Sequence, residues 1–412
     1  MPSSPPIPAT RRESWLDAFS AYAAAPGVDA SQLRDRLARL DEALFSYWRL
    51  GENVVLLWTS VGRSLSLLGF PHFALAEYVS GTRRIAGEES PERCIDALVS
   101  GSKWAGAERF AQVAKMLQLD PVQIELPFYP ITEIGRDLVD ALLRRYSVSR
   151  FENRAVVLLD IVGFTRHSPI EQVTLLNSLS FSVNSAYDKL LSRNVRVRFA
   201  RSPTGDGFYI WNLAANTRGN IELYKLLLLL LADNAIAHGK ARTRCVPSLR
   251  AAFHVGAHYE FYQPEGLSPT LSHYLVGQVT NDLSRLLDEA MPGQILIGDF
   301  HSAASAEGET DAAAQEIATA PQFVERMQQE VSDLAGLRLA GEEVREIRCY
   351  LTGPHHADGA FGISRYCCRD KHGATHHMFN AKINIHRRDA EPIFLGIRDA
   401  DMHGFELSPV AP

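Results

Sequence analysis

Cysteine is scarce in this chain: 5 among 412 residues, at Cys94, Cys245, Cys349, Cys367 and Cys368, and never in a Cys-x-x-Cys spacing. An odd, scattered set excludes a disulfide-stapled scaffold and predicts free thiols in a reducing, cytoplasmic compartment. Long apolar runs are missing too. The greasiest, Leu226 to Ala232, lies between Lys225 and Asp233. It falls far short of the roughly 20 residues a spanning helix needs, so it reads as a buried helix of a core, with no membrane span expected. Positive charge is not in excess either: 42 Lys and Arg stand against 48 Asp and Glu, a net charge of −6. No basic field recommends nucleic acid as a partner. A polyanionic ligand would need cations gathered locally, or metal ions. The opening Met1-Pro2-Ser3-Ser4-Pro5-Pro6 stretch has no apolar core of a secretory leader and reads as a frayed tail.

What is present is an average globular composition, 46% hydrophobic and 22% charged, in a chain too long for one ordinary domain. Leu33, Leu37, Leu40 and Leu44 recur at helical spacing, and most of residues 1–150 follows that period, predicting a helical regulatory or dimerisation region. The texture changes at Arg154. Ala155 to Leu159 is a short apolar run with β-branched residues, expected as a central strand buried on both faces. A helix is expected from Ile170 to about Leu191, a strand over Val195–Ala200, a turn at Ser202–Gly207 and a strand over Phe208–Trp211. A helix over Asn220–His238, a strand over Leu249–Val255, a helix over Asn281–Glu289 and strands over Gln294–Ile297 and Arg345–Leu351 follow. Strand, helix, hairpin, helix, strand is the split βαβ, ferredoxin-like layout of an α+β fold. Residues 301–320 read as a surface excursion, and 354–412 as a small β-rich C-terminal unit.

Asp160 ends the expected central strand, and Asp206 sits in the Gly205-Asp206-Gly207 turn. A ferredoxin-like sheet makes those two places neighbours. Two carboxylates and a backbone carbonyl such as that of Ile161 form a hard oxygen set suited to Mg²⁺ or Mn²⁺. The amides after Gly163 enter a helix and suit a phosphate. Each Asp taken alone is equally at home as a turn or capping residue.

Asp160-Ile161-Val162-Gly163-Phe164-Thr165 resembles the first metal motif of class III nucleotidyl cyclases, and Thr204-Gly205-Asp206 the second. Tyr274 to Arg285 resembles that family's helix motif carrying an Asn and an Arg four residues apart, here Asn281 and Arg285, and Met291-Pro292-Gly293-Gln294 its following turn. The resemblance covers about residues 151–300, with a catalytic domain expected over 151–353. It implies a ferredoxin-like cyclase domain holding two divalent ions (Mn²⁺ or Mg²⁺) per site. It also implies Asp160, Ile161 and Asp206 as metal ligands, Phe164 and Thr165 against the phosphates, and Asn281 and Arg285 as catalytic residues. In that family the metal pair and the Asn–Arg helix of one site come from different subunits, which implies a homodimer with composite sites.

The purine-reading positions of the family depart from pattern. Ser202 stands where adenine readers carry Lys and guanine readers Glu, Arg201 precedes it, and Tyr274 replaces the partner position. A tyrosine there fills volume and favours a smaller ring. The variant is similar to the pyrimidine cyclases of bacterial anti-phage defence (Pycsar). These make cyclic UMP or cyclic CMP for a separate effector protein, so UTP ahead of CTP is the expected substrate. A polymerase-like palm also sets two carboxylates on such a sheet, but its Gly-Gly-Asp/Glu-Glu-Phe loop is absent. A catalytically silent cyclase fold would be expected to lack one of the four polar positions, all of which are here. Cys367, Cys368, His372, His376, His377 and His386 form a weak zinc set, because adjacent cysteines on a strand point to opposite faces. Lys371-His372-Gly373 is more simply a hairpin turn.

Overall fold

The computed structural model describes residues 29–79, 91–214, 216–243, 245–265, 268–304, 316–354 and 362–408. Most of the expected excursion, residues 305–315, and the N-terminal tail lie outside them. The chain divides into two compact units. One takes the residues up to Phe151 together with Tyr259–Leu275; the other takes Glu152–His258 and the residues from Val276 onward.

In the first unit, helix α1 (Ala30–Trp48) starts at Asp29, whose carboxylate accepts from the amides of Ser31 and Gln32. Its Leu33, Leu37, Leu40 and Leu44 are all buried, as their spacing requires. Strands β1 (Asn53–Val61) and β2 (Ser64–Pro71) pair as an antiparallel hairpin, and β3 (Val122–Glu125) adds to β2. Helices α2 (Ala74–Val79), α3 (Pro91–Val99), α4 (Ala107–Leu117) and α5 (Arg136–Leu143) belong to this part, with a single helical turn at Pro130–Glu133 ahead of α5. The expected helices are there, and with them a sheet that the periodicity did not announce. Val54 to Trp58 is buried on both faces of β1, so it shows no alternation to separate it from a buried helix.

The second unit is built on β4 (Ser149–Ile161), α6 (Pro169–Ser192), β5 (Phe199–Pro203), β6 (Gly207–Asn212), α7 (Thr217–Lys240) and β7 (Leu249–Glu265). Their sheet order is β7-β4-β6-β5, with β4–β6 and β5–β6 antiparallel. Taking the four strands in chain order, that is 4-1-3-2, the ferredoxin-like arrangement. The chain is an α+β protein. Helix α6 opens with Ser168, Pro169 and a Glu171 side chain that accepts from the Ser168 amide at 2.8 Å. The Leu-rich run of α7 is buried around the helix, which explains its composition: Leu226 to Leu230 are each 2% exposed or less. The strand expected at Val195–Ala200 begins only at Phe199, because Val195 and Val197 pack into the core ahead of the ladder.

Beyond β7 the hairpin strand β8 (Ser268–Val276) leads into α8 (Gln278–Glu289) and β9 (Ile295–Gly298), which is parallel to β7. Strands β10 (His301–Ala304) and β11 (Glu316–Thr319) pair, and α9 (Ala320–Glu330), β12 (Arg338–Leu339) and β13 (Glu342–Leu351) follow. The C-terminal segment is β-rich, with β14 (Arg365–Arg369), β15 (Thr375–Arg387), β16 (Ile393–Leu395) and β17 (Glu406–Ser408). It extends the main sheet: β15 lies between β9 and β13 and pairs antiparallel with both.

Candidate active site

Asp160 stands on the middle strand of three. On the β6 side it pairs with Gly207, and the Ile161 amide donates to the Asp206 carbonyl at 3.0 Å. On the β7 side the Arg250 Nε donates to Asp160 Oδ2 at 2.6 Å, while Arg250 Nη1 reaches the Ala290 carbonyl at the end of α8 at 3.0 Å. Burial pushes the Asp160 carboxyl above its ordinary range. The Arg250 ion pair pulls it back, and the adjoining Asp206 charge pushes it up again. The two acids therefore meet in one half-buried place, where their mutual repulsion calls for a cation. Both donors are carboxylates and the neighbouring backbone adds only oxygen, so the residues fit a divalent ion of the Mg²⁺ or Mn²⁺ type. Among the described residues no group of three His, Cys, Asp or Glu side chains could hold a metal, so the remaining coordination would fall to backbone oxygen, water or ligand.

Glycine at 207 is a steric necessity. A Cβ there would lie 1.8 Å from the Leu159 carbonyl oxygen, and Gly205 in the same turn has φ +104°. Close approach of β6 to β4 is what delivers Asp206 to Asp160. Beside this point a cleft of about 590 Å³ is lined by Ile161, Gly163, Arg166, His167, Arg242 and Ser248 among others, and no carboxylate lines it among the described residues. Phe164 and Thr165 lie in a short 3₁₀ turn between Gly163 and His167. Phe164 packs partly against the core, and Thr165 is exposed.

Asn281 and Arg285 sit one turn apart on α8. Asn281 is exposed. Arg285 Nη1 donates to Asp288 Oδ2 at 3.0 Å, and its Nε lies 3.7 Å from Asp370 Oδ2. Neither partner belongs to the metal pair.

The base-reading candidates separate. Ser202 pairs with Tyr209 across the β5–β6 ladder and shares the face of Tyr209, Leu158 and Asp160, while alternation turns Arg201 to the other side. There Arg201 Nη1 donates to Ser180 on α6 at 2.9 Å and its guanidinium lies over the Phe208 ring. Arg201 is thus a brace between β5 and α6. Tyr274, on the part of β8 that belongs to the first unit, is 41% exposed and stacks on Phe261 with ring centroids 5.4 Å apart.

Arg250, Asp282 and Asp370 were not anticipated from the sequence, and His376 was read only as a member of the weak zinc set. A signal for Arg250 was there: an arginine in the largely apolar run Leu249–Val255 needs a partner. The zinc set divides between the two faces of the β14–β15 ladder, where Cys367 pairs with His377 and Cys368 with His376, and no three of its members come together among the described residues. Cys367 and Cys368 alternate across β14, His372 is in the β14–β15 turn with Gly373 at φ +83°, and His376 stands between two carboxylates.

No protein-family model matches the chain, and no curated protein matches it. Solved structures do. The guanylyl cyclase Cya2 matches at 12% identity and TM-score 0.32, over 57% of this chain and 92% of that one. The adenylyl cyclase CyaB from P. aeruginosa matches at 12% identity and TM-score 0.33, over 60% and 97%. The guanylate cyclase domain of RhGC from Catenaria anguillulae, in complex with GTP, matches at 12% and 0.34, over 58% and 100%. All three fall below the similarity at which whole folds superpose, so the fold stands on the strand order and register given above. Among the described residues no helix is long and apolar enough to cross a membrane.

Proposed function

We propose that the chain is a nucleotidyl cyclase that converts a pyrimidine nucleoside triphosphate, UTP ahead of CTP, into its 3′,5′-cyclic nucleotide and pyrophosphate. The observation that carries this reading is the convergence of Asp160 and Asp206 at one end of two adjacent antiparallel strands, beside a cleft lined by Arg166 and Arg242. The ribose 3′-oxygen bonds to the α-phosphorus, the bond from that phosphorus to the bridging oxygen breaks, pyrophosphate leaves, and the hydroxyl proton passes to water. Asp160, Asp206 and the Ile161 carbonyl would hold two divalent ions, which when bound neutralise the triphosphate and acidify the 3′-hydroxyl. Arg250 fixes the Asp160 carboxylate and is a counter-charge for it when no ion is there. Phe164 and Thr165 present their amides to the phosphates. Asn281 would orient the ribose, and Arg285 would meet the charge growing on the α-phosphate.

The metal pair and the Asn281–Arg285 edge would come from different copies in a homodimer. Asn281 is exposed, and neither ion-pair partner of Arg285, Asp288 or Asp370, belongs to the metal pair, which is compatible with that edge serving a second chain. Ser202 shares the face of Asp160, and Tyr274 would supply bulk from the partner; with Arg201 turned to α6, base reading rests on these two. The cyclic product would serve as a messenger to a separate effector in anti-phage defence. Product identification after incubation with Mn²⁺ and each of the four NTPs tests the reaction. UTP is expected to turn over fastest, CTP next, and ATP and GTP well behind. Tyr274→Ala is expected to loosen that order by about 10- to 200-fold, the range of a steric reader, more than it lowers UTP turnover. Faster turnover of ATP or GTP would overturn the pyrimidine assignment.

A further inference from the structure

Behind Arg285 lies a chain of contacts that the catalytic reading leaves unused. The β14–β15 hairpin turns at Asp370, whose Oδ1 accepts from the amides of His372 and Ala374, each at 2.9 Å. That oxygen is committed to the turn. The other, Oδ2, faces Arg285 Nε at 3.7 Å and His376 Nε2 at 3.4 Å. On the far side of the ring, His376 Nδ1 lies 2.9 Å from Asp282 Oδ1, and Asp282 immediately follows Asn281. Asp282 Oδ1 also accepts from Gln278 Nε2 at 2.9 Å, and its Oδ2 lies 3.8 Å from His254 Nε2. The Asp370 and His376 side chains are each 9% exposed, whereas Arg285 is 31% exposed. A turn-anchored, largely covered carboxylate thus faces the Nε side of an arginine that is itself partly exposed.

We propose that Asp370, backed by His376, is a positioning residue for Arg285, and that the β14–β15 turn sets how far this guanidinium projects from α8. The inference rests on the cyclase reading and names what orients one of its groups. An arginine has several free torsions, and freezing them at each turnover slows chemistry. Fixing Nε against a carboxylate on a rigid hairpin settles that ordering in advance and leaves the terminal nitrogens to face phosphate. Asp288 holds Nη1 at 3.0 Å but is 58% exposed, so a stronger anion can displace it.

The test is steady-state kinetics with the best nucleotide and Mn²⁺. Asp370→Asn keeps an oxygen for the two turn amides and removes the charge facing Arg285; Asp370→Ser is a second variant that also accepts from them. Either is expected to lower kcat about tenfold and to change KM less than about threefold, with the thermal midpoint near the parent's, because the loss is in the transition state. In an Arg285→Lys background, where the fork is gone, Asp370→Asn is expected to cause less than about a twofold further loss. Retention of more than half of the parent kcat in both single variants, or a full tenfold loss in the Lys background, would overturn the positioning role while leaving the cyclase standing. A parent chain that cyclises no nucleotide would overturn the cyclase and this inference with it.

Discussion

Asp160 carries three relations at once: repulsion from Asp206, an ion pair with Arg250 and a place on the central strand. Removing either acid should leave the sheet in place and abolish turnover, since metal stabilisation of a phosphoryl transfer is worth several kcal/mol. Asp160→Ala and Asp206→Ala are each expected to fall below about a tenth of parent turnover, with far-UV circular dichroism unchanged. Activity above that level in either variant would contradict a shared metal site. At this scale the sequence was most informative where a residue type is chemically costly. Two acids at strand ends were legible, and Arg250 could have been. The placing of Asp370 and His376 beside Arg285 could not, because nothing in a linear chain says that a turn near residue 370 returns to a helix near residue 285.

The β5–β6 hairpin, at the scale of elements, delivers Asp206 through a close approach that no side chain at 207 permits. Gly207→Ala is therefore expected to push β6 from β4, to destabilise the protein by about 1–3 kcal/mol in denaturant unfolding, and to lower turnover with it. Unchanged stability would show that the strands approach less closely than the 1.8 Å clash implies. The helices and strands of the second unit were readable because their periods differ and their ends are marked: Ser168, Pro169 and Glu171 at the start of α6, Gly205 and Gly207 around the turn. The sheet of the first unit was not. β1 is buried on both faces, and its hairpin turns at Gly62-Arg63, outside the Asn-Gly or Asp-Gly pattern that signals a two-residue loop. The placement of β15 was equally hidden, since a strand joining a sheet far back in the chain leaves only alternation to mark it.

At the level of the whole molecule, the proposed cyclase site is completed by a second copy: Asp160 and Asp206 would come from one chain, Asn281 and Arg285 from the other. In that proposal the β7-β4-β6-β5 sheet would supply the first pair and α8 the second. The most direct measurement mixes two single variants, Asp160→Ala and Arg285→Ala, each inactive alone, under conditions where subunits exchange, and follows cyclic nucleotide release. A heterodimer then has one site carrying both lesions and one carrying neither. Activity is expected to return towards half of the parent level per heterodimer. Variants shown to exchange subunits that stay as inactive together as apart would contradict the composite site.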